Sequence, residues 1–215
     1  DVWKLFCMRD LLSKNLSKEI SIMEYELMVP PIDAKLPFKK FSQKQAKEYF
    51  QWYMEQIEHR INILKQYIVK EDHEMVFDYL PESLIPLWEW YEGHIVIENK
   101  TKKEYQEEIL SYPEWMKEYI STTKISIMKT MKFGADIATY FAEVIRKNSN
   151  GNISWGYYTR PKNAASVNRP VLVGFKADID MDPQRIIYVC TLKSAEKREK
   201  TRLFDIYNVW QQYIV

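Results

Sequence analysis

The longest regular pattern in the sequence is a stretch in which apolar side chains recur every three or four residues from Ala46 to Ile68. Charged and polar side chains fill most of the positions between them. This period is that of an α-helix with one apolar face, so we predict a helix over about residues 43–70. Ser42 and Gln45 stand where a capping box would begin it. A helix of this length has to bury its apolar face and should anchor the core.

Weaker patterns predict further helices. Pro81 at a first turn and Gly93 just past an end frame a helix over about residues 81–93. Thr101 and Glu104 form a second capping-box pair, for a short helix that ends before Pro113. Helical spacing then continues from about residue 116 to 147, and we expect a break near residues 121–123 or at residue 134 because the run exceeds the usual helix length. Residues 3–16 also have a helical pattern.

The period changes after the turn-forming residues 148–152. β-Branched and aromatic residues are frequent in segments 153–160, 171–175 and 185–192, which we predict to be strands of an antiparallel sheet. A less regular alternation over 20–29 predicts another strand. Helical spacing returns over about 201–213. The order predicts an α+β fold: an N-terminal helical layer packed on a small, mainly antiparallel C-terminal sheet with a terminal helix. We expect one domain over 1–215, helical to about 148 and strand-rich over 149–215.

Charge and composition disfavour several classes of function. Lys and Arg number 31 against 30 Asp and Glu, so the net charge of +1 provides no field for nucleic acid or anionic lipid. The chain carries no apolar run long enough to span a membrane and no signal-peptide pattern at its start, so we expect a cytoplasmic protein. Cys7 and Cys190 lack the spacing of a zinc site or a disulfide framework, and we predict no metal and no cofactor.

Catalysis is less favoured than binding, because the common nucleotide-binding, protease and hydrolase motifs are missing. Asp178, Asp180 and Asp182 would share one side of an extended segment, which leaves open a metal-assisted hydrolase that uses this acidic cluster, with Glu143 as a further carboxylate. Pro183 stands where a calcium loop would have glycine. A solvated, acidic strand end without a ligand and an acidic contact strip for a basic partner are the other two interpretations.

Aromatic residues are abundant, with 7 Trp, 15 Tyr and 9 Phe. Trp90 falls off the apolar side of its predicted helix, and alternation along the strand turns Tyr158 and Arg160 outward. Asp136, Tyr140 and Glu143 recur at helical spacing and are predicted to form an exposed polar stripe. Exposed Trp, Tyr and Arg dominate the energetics of protein interfaces. The predicted partner-binding residues are Trp90, Tyr158, Arg160, Asp136, Glu143, Asp178 and Asp180.

Three segments of the C-terminal half carry a resemblance: Asp136-Ile-Ala-Thr-Tyr-Phe-Ala-Glu143, Ile153-Ser-Trp-Gly-Tyr157 and Asn168-Arg-Pro-Val-Leu172. Together they resemble uncharacterised bacterial proteins of the immunity type. The resemblance implies a small cytoplasmic protein that binds and blocks a toxin, and it assigns no binding residue. The leading hypothesis is therefore an immunity or antitoxin-like inhibitor of a protein partner. The alternatives are the metal-assisted hydrolase and a structural, self-assembling protein that forms homo-oligomers.

Overall fold

The computed structural model describes residues 25–32, 36–71, 75–114, 117 and 120–214. Within these ranges the helices are α1 (Gln43–Lys70), α2 (Leu84–Gly93), α3 (Lys102–Ser111), α4 (Ile127–Lys147), α5 (Pro183–Glu196) and α6 (Arg202–Gln211). The strands are β1 (Ile97–Asn99), β2 (Thr123–Ile125), β3 (Ser154–Gly156) and β4 (Val171–Val173). Short 3₁₀ turns occupy Phe38–Lys40, Pro81–Ser83 and Lys176–Asp178. The helix predicted over 3–16 lies outside the described residues.

The helices with clear end signals agree with the sequence prediction. α1 begins after Ser42, and both halves of the capping box with Gln45 are present. The box at Thr101 and Glu104 likewise begins α3. α4 starts only at Ile127, after β2, so the break predicted near residues 121–123 is confirmed, whereas the helix continues through Gly134.

Each of the two sheets consists of two short antiparallel strands. β1 pairs with β2, and β3 pairs with β4 with Trp155 opposite Leu172. The strand predicted over 185–192 is wrong, because these residues belong to α5. Residues 149–215 are therefore not strand-rich in the described structure. Of the strand predicted over 20–29, only residues 25–29 are described, and they have no regular secondary structure.

α4 forms the centre of the core and packs against both α1 and α5. Its buried side chains include Phe133, Ile137 and Phe141. One hydrophobic cluster joins them to residues from both parts of the chain, from Leu64 on α1 to Leu203 on α6. The result is an α+β fold in which helices predominate. None of the described helices is both long and apolar enough to cross a lipid bilayer.

Candidate functional site

Asp136 lies in the core, where it pairs with Arg60 of α1. The guanidinium donates two hydrogen bonds to the two carboxylate oxygens, with N···O distances of 2.8 and 2.7 Å. The hydroxyl of Tyr25 also donates to Asp136, and Arg60 donates to the carbonyl of Glu26 at 2.6 Å. Burial and the Asp136 carboxylate raise the pKa of Tyr25, so the phenol stays neutral and serves as a donor. Asp136 is therefore not part of an exposed stripe.

The other two members of the predicted stripe are also buried. Glu143 accepts a hydrogen bond from the indole nitrogen of Trp155 at 2.8 Å and is bound through both oxygens by Arg146. The hydroxyl of Tyr140 lies 2.8 Å from that of Ser83. The prediction of an exposed polar side was wrong because Arg60 of α1, Ser83 of the 3₁₀ turn before α2 and Trp155 of β3 contact these three side chains and the fold buries them.

Trp90 is only 6% exposed, so the prediction that its ring faces outward was also wrong. Its indole nitrogen donates to Glu71 at 2.9 Å. The ring packs on Phe133, with centroids 5.0 Å apart, and on His94, with centroids 4.3 Å apart. The side chain is thus a core residue whose polar atom is satisfied at the C-terminal end of α1.

The four remaining candidates line one groove, which we call the C-terminal groove and define by Tyr158, Arg160, Asp178 and Asp180. It has a volume of about 580 Å³. Tyr158 and Arg160 follow β3, whereas Asp178 and Asp180 follow β4. The pairing of these two strands therefore brings together residues that are about twenty positions apart in the sequence.

Backbone geometry fixes the shape of the groove. Gly174, just after β4, has φ +103°, and a Cβ atom there would lie 2.2 Å from the carbonyl oxygen of Asn152. Only glycine tolerates both conditions. The 3₁₀ turn at Lys176–Asp178 is bonded to the segment after α6, because the amide of Lys176 donates to the carbonyl of Tyr213 at 2.8 Å. On the opposite wall, the amide of Asn168 donates to the carbonyl of Tyr158 at 2.8 Å.

The charged side chains of the groove differ from those in the core because no opposite charge of the described residues pairs with them. Within the part of the chain that the structure describes, Arg160, Asp178 and Asp180 form no ion pair. Arg160 and Asp178 are exposed, and Asp180 is half-buried. Burial and the Asp180 carboxylate raise the pKa of Tyr158. The phenol is therefore neutral and lies beside an acceptor.

Asp182 does not act with Asp178 and Asp180 as an open acidic cluster. It is buried, caps α5 by accepting a hydrogen bond from the amide of Arg185 at 3.1 Å, and lies 2.7 Å from the guanidinium of Arg169. Among the described residues, no group of three or more His, Cys, Asp and Glu side chains could hold a metal ion. The convergence of the three aspartates that an extended segment would give is not found, because Asp182 begins a helix.

A second cavity, of about 560 Å³, adjoins the groove and shares Tyr158 and Asp180 with it. We call it the α5–α6 cavity. Sequence reasoning missed it because residues 185–192 were assigned to a strand, in which the adjacent residues Arg185 and Ile186 would face opposite sides and could not both line one wall. The available signal was Asp182 followed by Pro183, a typical helix start. The lining residues of α5 and α6 are Arg185, Ile186, Val189, Cys190, Lys193, Arg202, Ile206 and Trp210.

Comparison with known proteins adds no relative to this description: no protein-family model, curated protein or solved structure matches the chain.

Proposed function

We propose that this chain is a cytoplasmic protein-binding module of the immunity or antitoxin type, which inhibits a toxin by binding it through the C-terminal groove. The observation that carries the proposal is the set of unpaired charges around that groove. Arg160, Asp178 and Asp180 form no ion pair with the described residues, and Tyr158 stands beside them. Every other predicted site residue is buried with partners inside the fold.

Unpaired groups of this kind suit a binding surface for two physical reasons. Tyrosine adds a large apolar area with a polar tip and few rotatable bonds, and is enriched among the residues that dominate interface energetics. Charges at the rim accelerate association with a partner of opposite sign more than they increase its affinity. Because the groove carries two carboxylates and one guanidinium, its net charge is negative, and we expect a partner with a basic contact surface.

The resemblance to immunity-type proteins is compatible with this location. Two of its segments, 153–157 and 168–172, contain β3 and the start of β4, the strands that carry the groove. The third segment, 136–143, lies in α4 and supplies Glu143, which binds Trp155 of β3. Two of the three segments thus carry strands next to the groove, and the third is joined to β3 by that hydrogen bond, which is compatible with a binding role of this region.

Co-expression with the protein encoded beside this chain tests the proposal. A toxic neighbour should stop growth when expressed alone, and this chain should restore growth. Asp178→Lys and Tyr158→Ala should each weaken binding of the purified toxin by about tenfold or more, as expected for hot-spot residues. Glu89→Lys is the matched control, because Glu89 is exposed on α2, far from the groove in sequence. This substitution changes the charge by the same amount as Asp178→Lys.

Two results would contradict the proposal. The first is that no neighbour-encoded protein binds the purified chain or is neutralised by it. The second is that the groove variants bind and protect as well as the Glu89→Lys control. The metal-assisted hydrolase finds no support in the described residues. Self-assembly stays a prediction, and sedimentation of the purified chain over a range of concentrations tests it.

A further inference from the structure

We infer that the α5–α6 cavity binds a small organic anion that has an apolar body, such as a carboxylate on a hydrocarbon chain. This inference goes beyond the proposed function, because it concerns a different occupant and needs no partner protein. The volume of the cavity, about 560 Å³, falls in the range of about 300 to 1,000 Å³ that is typical of small-molecule sites.

Two helices supply most of the walls of the cavity. On α5, Arg185, Val189 and Lys193 are spaced four residues apart, and on α6, Arg202, Ile206 and Trp210 have the same spacing. Side chains four apart lie on one face of a helix. The α5 wall therefore has a cation at each end and an apolar middle, and the α6 wall has a cation at one end and apolar side chains beyond it.

Positive charge gathers at the end of the cavity near Cys190. Cys190, Lys193 and Arg202 line the same cavity, and Arg202 forms a hydrogen bond with Ser194, the residue after Lys193. Burial raises the pKa of the Cys190 thiol, and the charges of Arg202 and Lys193 act in the opposite direction. Arg202 is held in place, because it donates to the hydroxyl of Ser194 at 3.1 Å and to the carbonyl of Lys197 at 2.8 Å. The guanidinium is therefore fixed in position before a ligand arrives.

Lys193 and Arg202 differ in how far they are already neutralised. Arg202 lies 3.2 Å from the Glu199 carboxylate. Lys193 is exposed, and no carboxylate of the described residues lies within 4.0 Å of its ammonium group. A ligand anion at this end would gain a charge-assisted hydrogen bond without displacing a protein carboxylate from Lys193.

The remaining wall orients the ligand. Asp180 lies on the side shared with the C-terminal groove, and its charge repels an anion there, whereas Asp182 is paired with Arg169. The anionic head is thus directed toward the end of the cavity where two cations, Lys193 and Arg202, lie together, and not toward the single cation Arg185 at the other end of the α5 face. Its apolar body would cover Val189, which is 40% exposed, together with Ile206 and Trp210. Covering such surface is favourable by the hydrophobic effect.

Calorimetric titration with three probes of equal chain length tests the inference: decanoate, decan-1-ol and decyltrimethylammonium. Decanoate should bind at least about tenfold more tightly than the other two, because only its head matches the cations. Lys193→Glu should weaken decanoate binding by about tenfold or more. Lys200→Glu, at an exposed lysine that does not line the cavity, should leave it unchanged.

Labelling of Cys190 locates the bound probe. The chain has two cysteines, so Cys7→Ser leaves Cys190 as the sole thiol. Saturating decanoate should slow its reaction with methyl methanethiosulfonate, and the Lys193→Glu background should remove this protection. The inference is overturned if decanoate does not bind, if decan-1-ol binds as tightly, or if bound decanoate leaves the labelling rate unchanged.

Discussion

The buried pair of Arg60 and Asp136 allows a quantitative test of how this core is held together. The side chain of Arg60 is 3% exposed and that of Asp136 is 0% exposed. Asp136→Leu would remove the acceptor of two guanidinium hydrogen bonds and of the Tyr25 hydroxyl bond. It would leave a buried cation with only the Glu26 carbonyl and a 3.7 Å contact to the exposed Glu26 carboxylate. Breaking a buried pair in this way costs about 3–5 kcal/mol.

The double variant Arg60→Met with Asp136→Leu should behave differently. It removes both charges, so neither is left without a partner in the core. Replacing both members of a buried ion pair with apolar residues of similar volume is often neutral or stabilising. We therefore expect the double variant to be more stable than Asp136→Leu alone by about 2 kcal/mol or more. Tyr25→Phe, which removes one donor and keeps the ring, should cost about 1 kcal/mol.

Urea unfolding, followed by tryptophan fluorescence and circular dichroism, would measure these free energies. For a chain of this size each kcal/mol corresponds to about 2–4 °C in melting temperature, so Asp136→Leu should melt about 6–20 °C below the unsubstituted chain. The reasoning is refuted if Asp136→Leu unfolds within about 1 kcal/mol of the unsubstituted chain. It is equally refuted if the loss of stability in the double variant equals the sum of the losses in the single variants Asp136→Leu and Arg60→Met. Such additivity would mean that the two charges do not interact.

Three further tests address individual parts of the fold. The Lys124 ammonium and the Thr101 cap lower the pKa of Glu104 from its ordinary 4.5 to about 2, so this carboxylate stabilises the fold above pH 4.5 and loses its effect as the pH falls toward 2. In urea unfolding, Glu104→Gln should therefore be less stable than the unsubstituted chain at pH 6 but not at pH 2. The same difference in free energy of unfolding at both pH values would contradict this expectation. Gly174→Ala should destabilise the fold by about 1–3 kcal/mol or more, because the residue has a positive φ and a Cβ there would clash with a carbonyl oxygen. Gly93→Ala, where a Cβ meets nothing within 4 Å, should stabilise the fold by about 0.5–1 kcal/mol. Equal melting temperatures of the two variants would refute this contrast. Ser42→Ala should cost about 1 kcal/mol in the same assay by removing the cap of α1, and no loss would show that the cap is dispensable.

The helices were predictable where the sequence contains both a period and an end signal. α1 satisfies both conditions, and its bounds were obtained from residues 42–70 alone. α5 was mistaken for a strand because Ile186, Ile187 and Val189 are β-branched, and such residues favour strands. Packing of Ile187 and Cys190 into the core, with the cap at Asp182, outweighed that preference. Propensity is a weak guide for a short segment whose end signals have not been weighed.

Burial around α4 was harder to predict, because a carboxylate in a sequence does not show which residue will neutralise it. Asp136 and Arg60 are 76 positions apart. One signal was available: Arg60 falls within the apolar stripe of α1, next to Ile61 and three residues after Ile57. A charge in such a stripe requires a buried counter-ion, because an isolated buried charge is too costly.

The candidate site residues fall into two groups, which the sequence could not separate. In one group the polar atoms already have partners inside the fold, and in the other the charged groups pair with no opposite charge of the described residues. The carboxylates of Asp136 and Glu143 each accept several hydrogen bonds inside the fold. A partner protein would gain nothing from them without first breaking those bonds. Arg160 and Asp178 are exposed instead, so binding a partner breaks no ion pair that they form with the described residues. Substitutions at the first pair should therefore lower stability, whereas substitutions at the second should lower affinity and leave the melting temperature unchanged.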